Sequence, residues 1–266
     1  MTLENKNAII YGAGGSLGGA VAKAFADAGA RVFVTGRHID SLLKLADEIL
    51  NTGGLVEVNE VDALDEKAIS RCLDRIVDQA GTVDISFNAI GLPVVQNIPL
   101  VDISADDFMS PISNMMRSQF LTSTIAGKIM MNQGSGIILT LTATPGGIGY
   151  PYTGGFAPAC SALEFFSRNL AAELGVYGVR VVNMRSGGSP DSAVFKNAID
   201  NHWDIMEPVL RQMESDTMLK KLPMMADVAN LAVFLSSDLA GKITGVTVDI
   251  TCGTTAGLNY KTAAKK

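Results

Sequence analysis

Charged, thiol and imidazole side chains are all scarce in this chain. Only 18% of its residues are Asp, Glu, Lys or Arg, and it holds three cysteines, two histidines and one tryptophan. Cys72, Cys160 and Cys252 are far apart, odd in number and without metal-ligand spacing, so neither a disulfide framework nor a zinc site is expected. His38 and His202 have no cluster around them, and His38 reads as an exposed loop residue. A formal net charge of −6 and a pI near 5.0 argue against a general binder of nucleic acid or anionic membrane. The basic tail of Lys261, Lys265 and Lys266 is too short to change that. The opening MTLENKN lacks the basic and apolar regions of a signal peptide, which makes the cytoplasm the expected location. Residues 129–163 carry no charge, but seven glycines and three prolines interrupt them, so they read as a buried strand and a shaped loop rather than a membrane span.

What the chain does have is apolar surface, 47% of its 266 residues being hydrophobic, enough for one substantial core. A single domain over 1–266 is expected, with a small molecule as partner. The stretch AIIYGAGGSLGGA, Ala8 to Ala20, joins an apolar run to a glycine-rich turn and then to Leu17, Val21, Ala22 and Phe25 at helical spacing. Glycines at a strand-to-helix junction let the backbone approach a ligand, and the unpaired amides of a helix start favour a phosphate. The six-letter form G-x-G-x-x-G fails because Leu17 stands where its third glycine belongs; Gly12, Ser16 and Gly18 instead follow a G-x3-G-x-G spacing.

The next strand, Arg31 to Thr35, is followed by Gly36-Arg37 at the place where an acidic residue would bind the ribose hydroxyls of NAD. A planar guanidinium there suits a 2′-phosphate, so NADP is preferred, the alternative being a solvated arginine at a strand end. Asp62, just past a third strand at Leu55 to Val61, either accepts from an adenine amino group or caps the helix that follows. A fourth strand, Val83 to Phe87, leads into Asn88-Ala89-Ile90-Gly91. Repeated apolar strands and amphipathic helices imply a parallel sheet covered on both faces, with Gly12, Arg37, Asp62 and Asn88 all beyond strand C-termini. Phe108 to Met131 reads as a long methionine-rich helix, Ile137 to Leu141 and Val179 to Met184 as further strands, and Val246 to Ile250 as the last. Residues 189–222 lack a strand pattern and read as a helical flap over the substrate, anchored by Phe195, Trp203 and Met206.

Taken in order, Gly12-x3-Ser16-x-Gly18, Asp62, Asn88-Ala89-Ile90-Gly91, Arg168-x-Leu170-Ala171-x-Glu173-Leu174, Arg185-Ser186-Gly187 and Ile243-Thr244-Gly245 resemble the short-chain dehydrogenase/reductase family over nearly the whole length. The resemblance implies an α/β Rossmann-type doubly wound parallel sheet of about seven strands in a single domain. It also implies hydride transfer between NAD(P) and an alcohol or carbonyl, and a homodimer or homotetramer. By that likeness Gly12, Ser16, Leu17, Gly18, Arg37, Asp62, Asn88, Gly91 and Gly187 would line the cofactor site. The family's Asn-Ser-Tyr-Lys catalytic set falls on Met115, Ala143, Phe156 and Cys160, none of which keeps the family residue. Thr142, Thr144, Tyr150, Tyr152 and Arg185 are the polar groups expected near the pocket, with Tyr152 and Thr142 as candidate proton donors; Tyr152 is otherwise a rim aromatic. Two functions follow: an NADP-dependent oxidoreductase with a displaced proton donor, or a non-catalytic NADP(H)-binding sensor or partner subunit on the same fold.

Overall fold

The computed structural model describes residues 2–91 and 93–255. Lys261, Lys265 and Lys266 lie outside the described residues. Seven strands form one parallel sheet: β1 (Asn7–Tyr11), β2 (Arg31–Gly36), β3 (Leu55–Glu60), β4 (Ile85–Asn88), β5 (Gly136–Ala143), β6 (Val179–Ser186) and β7 (Thr247–Ile250), in the spatial order β3-β2-β1-β4-β5-β6-β7. Successive residues of β1 serve opposite faces, as strand geometry requires. Ala8 and Ile10 join one core with Val21 and Phe25 of helix α1 (Ser16–Asp27), Leu42 and Ile49 of α2 (Ile39–Asn51) and Val228 and Leu235 of α8 (Met225–Ser236). Ile9 and Tyr11 join the other with Ile69 and Leu73 of α3 (Glu66–Ala80), Leu121 and Met130 of α4 (Ala105–Gln133) and Leu170 and Leu174 of α5 (Phe156–Leu174). With helices on both faces, the inner strands are largely buried on both sides, whereas the edge strands β3 and β7 are partly exposed.

Two differences from the sequence-based expectation have local causes. Asp65, not Asp62, caps α3, its carboxylate accepting from the amides of Lys67 and Ala68. That leaves Asp62 to turn the chain locally, its Oδ1 accepting from Leu64 N–H at 3.0 Å. The segment expected as a flap forms α6 (Ala193–Asn201) and α7 (Trp203–Asp216), and Trp203, expected as an apolar anchor, is 51% exposed. Among the described residues, no helix is long and apolar enough to cross a membrane.

The order of strands reverses between β1 and β4, whose ends pair as Tyr11↔Asn88, so the chain leaves them in opposite directions and opens a crevice. Gly12 stands at that seam with φ +74°, a conformation costly for other residues, and a Cβ there would lie 2.9 Å from the Ala89 carbonyl oxygen. At Gly18 the constraint is contact: a Cβ would meet the Gly12 carbonyl oxygen at 2.4 Å. Gly18→Ala therefore forces α1 away from the turn and is expected to cost about 1–3 kcal/mol of stability, as overpacking does. A urea midpoint equal to that of the unaltered protein would show that the turn yields freely.

Candidate functional site

Two adjoining clefts open beyond the C-terminal ends of the strands. The first, of about 340 Å³, is lined by the Gly12–Gly15 turn, Gly36, Arg37, His38 and Ser41 after β2, Asp62 after β3, and Ala89, Ile90 and Gly91 after β4. No side chain caps α1 and no acidic residue occupies its first turn, so its leading amides are available to an anion. Arg37 is exposed and forms no ion pair among the described residues. His38 is an exposed residue of the loop before α2, as expected, and that loop forms part of the wall of this cleft. These features fit the phosphates and adenosine of a dinucleotide: backbone donors at a helix start, a glycine turn that admits close approach, and a cation at the end of β2.

The second cleft, about 620 Å³, shares Ala89, Ile90 and Gly91 with the first. Its walls take Leu17 from α1, Asn88 from β4, Met115 and Gln119 from α4, Thr142 and Ala143 from β5, Phe156 and Cys160 from α5, and Gly187 after β6. Phe195 of α6 and Met213 of α7 close one side. Met115, Ala143, Phe156 and Cys160, the residues onto which the resemblance puts the catalytic set, line this one cleft together. None of the lining residues among those described is charged at neutral pH, and burial pushes the Cys160 thiol up to about 11. Cys160 therefore stays protonated and supplies neither a thiolate nor a cation.

Several expected site residues sit elsewhere. Ser16 lines neither cleft; its Oγ accepts from the Ala193 N–H at 3.1 Å and ties the glycine turn to the start of α6. Gly18 also lines neither, its role being the close contact with Gly12. Tyr152 is 55% exposed, has φ +61°, and gives way to Tyr150 on the cleft wall. Thr142 does line the cleft, but its hydroxyl donates to Glu164 Oε1 at 3.0 Å and accepts from Asn183 Nδ2 at 2.8 Å. Its proton is directed away from the cleft. Arg185 lines neither cleft either. Its Nε donates to Glu164 Oε1 at 2.8 Å and its Nη1 to Asp249 Oδ1 at 2.7 Å, and hydrogen bonding to Glu164 holds the guanidinium yet more firmly protonated. Sequence reading missed Gln119 as a lining residue. The signal was its spacing of four from Met115, which puts both on one helix face.

A family model described as enoyl-(acyl carrier protein) reductase matches residues 12–255. The chain belongs to the short-chain dehydrogenase/reductase family. The 7alpha-hydroxysteroid dehydrogenase of Escherichia coli (strain K12) is 29% identical over 262 residues, covering 97% of this chain and 98% of that protein. The 2,3-dihydro-2,3-dihydroxybenzoate dehydrogenase of Bacillus subtilis (strain 168) is 27% identical over 266 residues, covering 96% of this chain and 98% of its own length. Among solved structures, levodione reductase superposes with a TM-score of 0.88 at 25% identity, covering 96% of this chain and all of that one (100%). The family consists of oxidoreductases that use a nicotinamide cofactor, NAD or NADP, on small molecules.

The ion cluster behind the cleft gives a direct test. The side chains of Arg185 and Glu164 are 13% and 9% exposed. Arg185→Ala would leave Glu164 buried without its partner and is expected to destabilise the fold by about 3–5 kcal/mol. Chemical denaturation measures it, and a loss below about 1 kcal/mol would place the cluster with ordinary surface pairs.

Proposed function

We propose that this protein is an NADP-dependent oxidoreductase of its family with an atypical active site, poorly suited to reducing ordinary ketones and aldehydes. The observation that carries the reading is the uncharged lining of the second cleft, with Phe156 and Cys160 in its wall; on our reading of the sequence these two take the places of the family's tyrosine and lysine. When bound, the nicotinamide supplies or takes a hydride. Carbonyl reduction also needs a proton delivered to the oxygen, and Phe156 has none to give. Loss of a positioned acid–base group typically lowers a rate about 10²- to 10⁴-fold. Tyr150 replaces Tyr152 as the tyrosine nearest to such a role, because it lines the cleft.

Support for NADP comes from Gly36 and Arg37 in the first cleft. A guanidinium offers a 2′-phosphate two parallel charge-assisted hydrogen bonds, which an ammonium or a hydroxyl cannot match. The uncharged second cleft favours a neutral, largely apolar substrate, since a carboxylate buried there would lack a cationic partner. Of the two relatives, the enzyme named for a hydroxysteroid is the better guide to this substrate than the one named for a benzoate. The same residue losses also favour a second reading, a non-catalytic NADP(H)-binding sensor or partner subunit.

One set of measurements separates these readings. Fluorescence titration is expected to show tighter binding of NADPH than of NADH, with the preference lost in Arg37→Ala; equal binding of both by the unaltered protein would remove the NADP assignment. With NADPH bound, turnover on ketone and aldehyde panels is expected to be very slow. Rapid turnover would refute the atypical site, and complete absence of turnover on neutral apolar alcohols and carbonyls would favour the sensor.

We further propose a homodimer or homotetramer, supported by the bulky apolar side chains that α4 and α5 present to solvent. Phe120 is 52% exposed and Phe165 59%, and the Phe120 and Phe166 rings lie 6.1 Å apart across the two helices. Sedimentation is expected to give an oligomer at micromolar concentration. A monomer there, unchanged by Phe120→Asp, would count against that surface.

A further inference from the structure

Four buried side-chain atoms among the described residues have no hydrogen-bond partner: Tyr11 Oη, Gln119 Oε1, Ser123 Oγ and Ser236 Oγ. Ser123 and Ser236 line neither cleft; Tyr11 borders the first cleft, but its side chain is fully buried in the hydrophobic core with Ile9 and Phe33, away from the second. Gln119 is different. It is 5% exposed, belongs to the wall of the second cleft, and its carboxamide oxygen is unpaired. A buried acceptor left in that state is unfavourable, and a ligand donor would recover the cost.

The orientation of this amide follows from its surroundings. Gln119 Nε2 donates to the Asn88 carbonyl oxygen at 3.3 Å; turning the amide over would set two acceptors against each other and is disfavoured. Asn88 cannot relieve the free oxygen either, because its own Nδ2 donates to Ser118 Oγ at 3.0 Å and to Thr122 Oγ1 at 2.9 Å. Its Oδ1 accepts from Ile90 N–H at 3.0 Å. The Asn88–Gln119–Thr122 cluster is therefore complete except for one acceptor.

Gln119 lines the second cleft and is bonded to the chain just before the residues that the two clefts share. Asn88, to whose carbonyl Gln119 is bonded, immediately precedes Ala89, Ile90 and Gly91, the residues the clefts share. A dinucleotide with its adenosine end in the first cleft carries its second nucleoside past these shared residues. The ribose of that nucleoside bears two hydroxyls, both hydrogen-bond donors. On its other side the second cleft offers Phe156, which has no polar atom, and Cys160, a weak acceptor.

We infer that Gln119 Oε1 accepts a hydrogen bond from a hydroxyl of the nicotinamide-side ribose, making Gln119 a binding residue for the second half of NADP(H). This rests on the cofactor reading above, and it assigns to α4 a task that the apolar residues of α5 in this cleft cannot perform.

The test compares NADPH with adenosine 2′,5′-bisphosphate, which fills the adenosine end alone, by calorimetric titration of the unaltered protein and of Gln119→Met. The methionine keeps the side chain's length and removes its strong acceptor. NADPH is expected to bind the variant about tenfold more weakly, with the bisphosphate unchanged within about twofold. Unchanged NADPH affinity, or an equal loss for both ligands, would overturn the inference, the second result showing a general disturbance of the fold. Should Gln119→Met not fold, the unaltered protein is titrated with an NADPH analogue whose nicotinamide-side ribose lacks both hydroxyls. A loss of about tenfold supports the inference, and undiminished affinity overturns it. If the unaltered protein binds neither NADPH nor the bisphosphate, the cofactor reading itself fails.

Discussion

A parallel sheet leaves no strand face free for water, because each crossover helix must return along one face or the other. In this protein that constraint sends α1, α2 and α8 to one side and α3, α4 and α5 to the other, and it collects every strand-to-helix loop at one edge. Residues far apart in the chain, Gly12 in the first cleft and Met115 and Phe156 in the second, are thereby gathered beyond the strand ends. The clefts are a consequence of sheet geometry, and the close approach of Gly18 to Gly12 supports the turn that walls the first of them.

The polar groups near the clefts divide into two levels. Beneath the surface, Thr140 Oγ1 donates to Asn183 Oδ1 at 2.8 Å, Asn183 donates to Thr142, and Thr142 donates to Glu164, which Arg185 joins to Asp249. Each charge there has a partner, as burial requires. The cleft wall, by contrast, is uncharged. Thr142 connects the levels, but its hydrogen bonds run inward, so the network steadies β5, α5 and β6 without lending a proton to the cleft. This is why Arg185 and Thr142, polar and close in sequence to the expected site, contribute structure there, while Gln119 contributes the unpaired atom.

The fold was legible because its signals are local and periodic: apolar runs of strand length, amphipathic helical spacing, and glycines at the first junction. All seven strands lie where those patterns place them, with boundaries shifted by one or two residues. The residues expected to hold a cofactor are divided by the structure among three places. Gly12, Arg37, Asp62 and Gly91 converge on the first cleft, and Leu17, Asn88 and Gly187 on the second, whereas Ser16 and Gly18 support the turn from behind. Trp203 misled, since an apolar residue on a surface helix carries no mark of which way that helix is turned.

By itself the sequence determined the family's fold, because apolar periodicity and the placing of glycines are properties of residue identity and order. Only the tertiary structure decided which polar atoms have partners. Tyr150 and Tyr152 differ by two positions, yet a left-handed turn at Tyr152 sends one to the cleft wall and leaves the other at the surface. Asp62 and Asp65 compete for one helix cap, and the backbone amides of Lys67 and Ala68 choose Asp65. Gln119 is one amide among many until the Asn88 carbonyl takes its N–H and leaves its oxygen free. Hydrogen-bond satisfaction depends on distances of a few ångströms between residues far apart in the chain, and no local pattern encodes them.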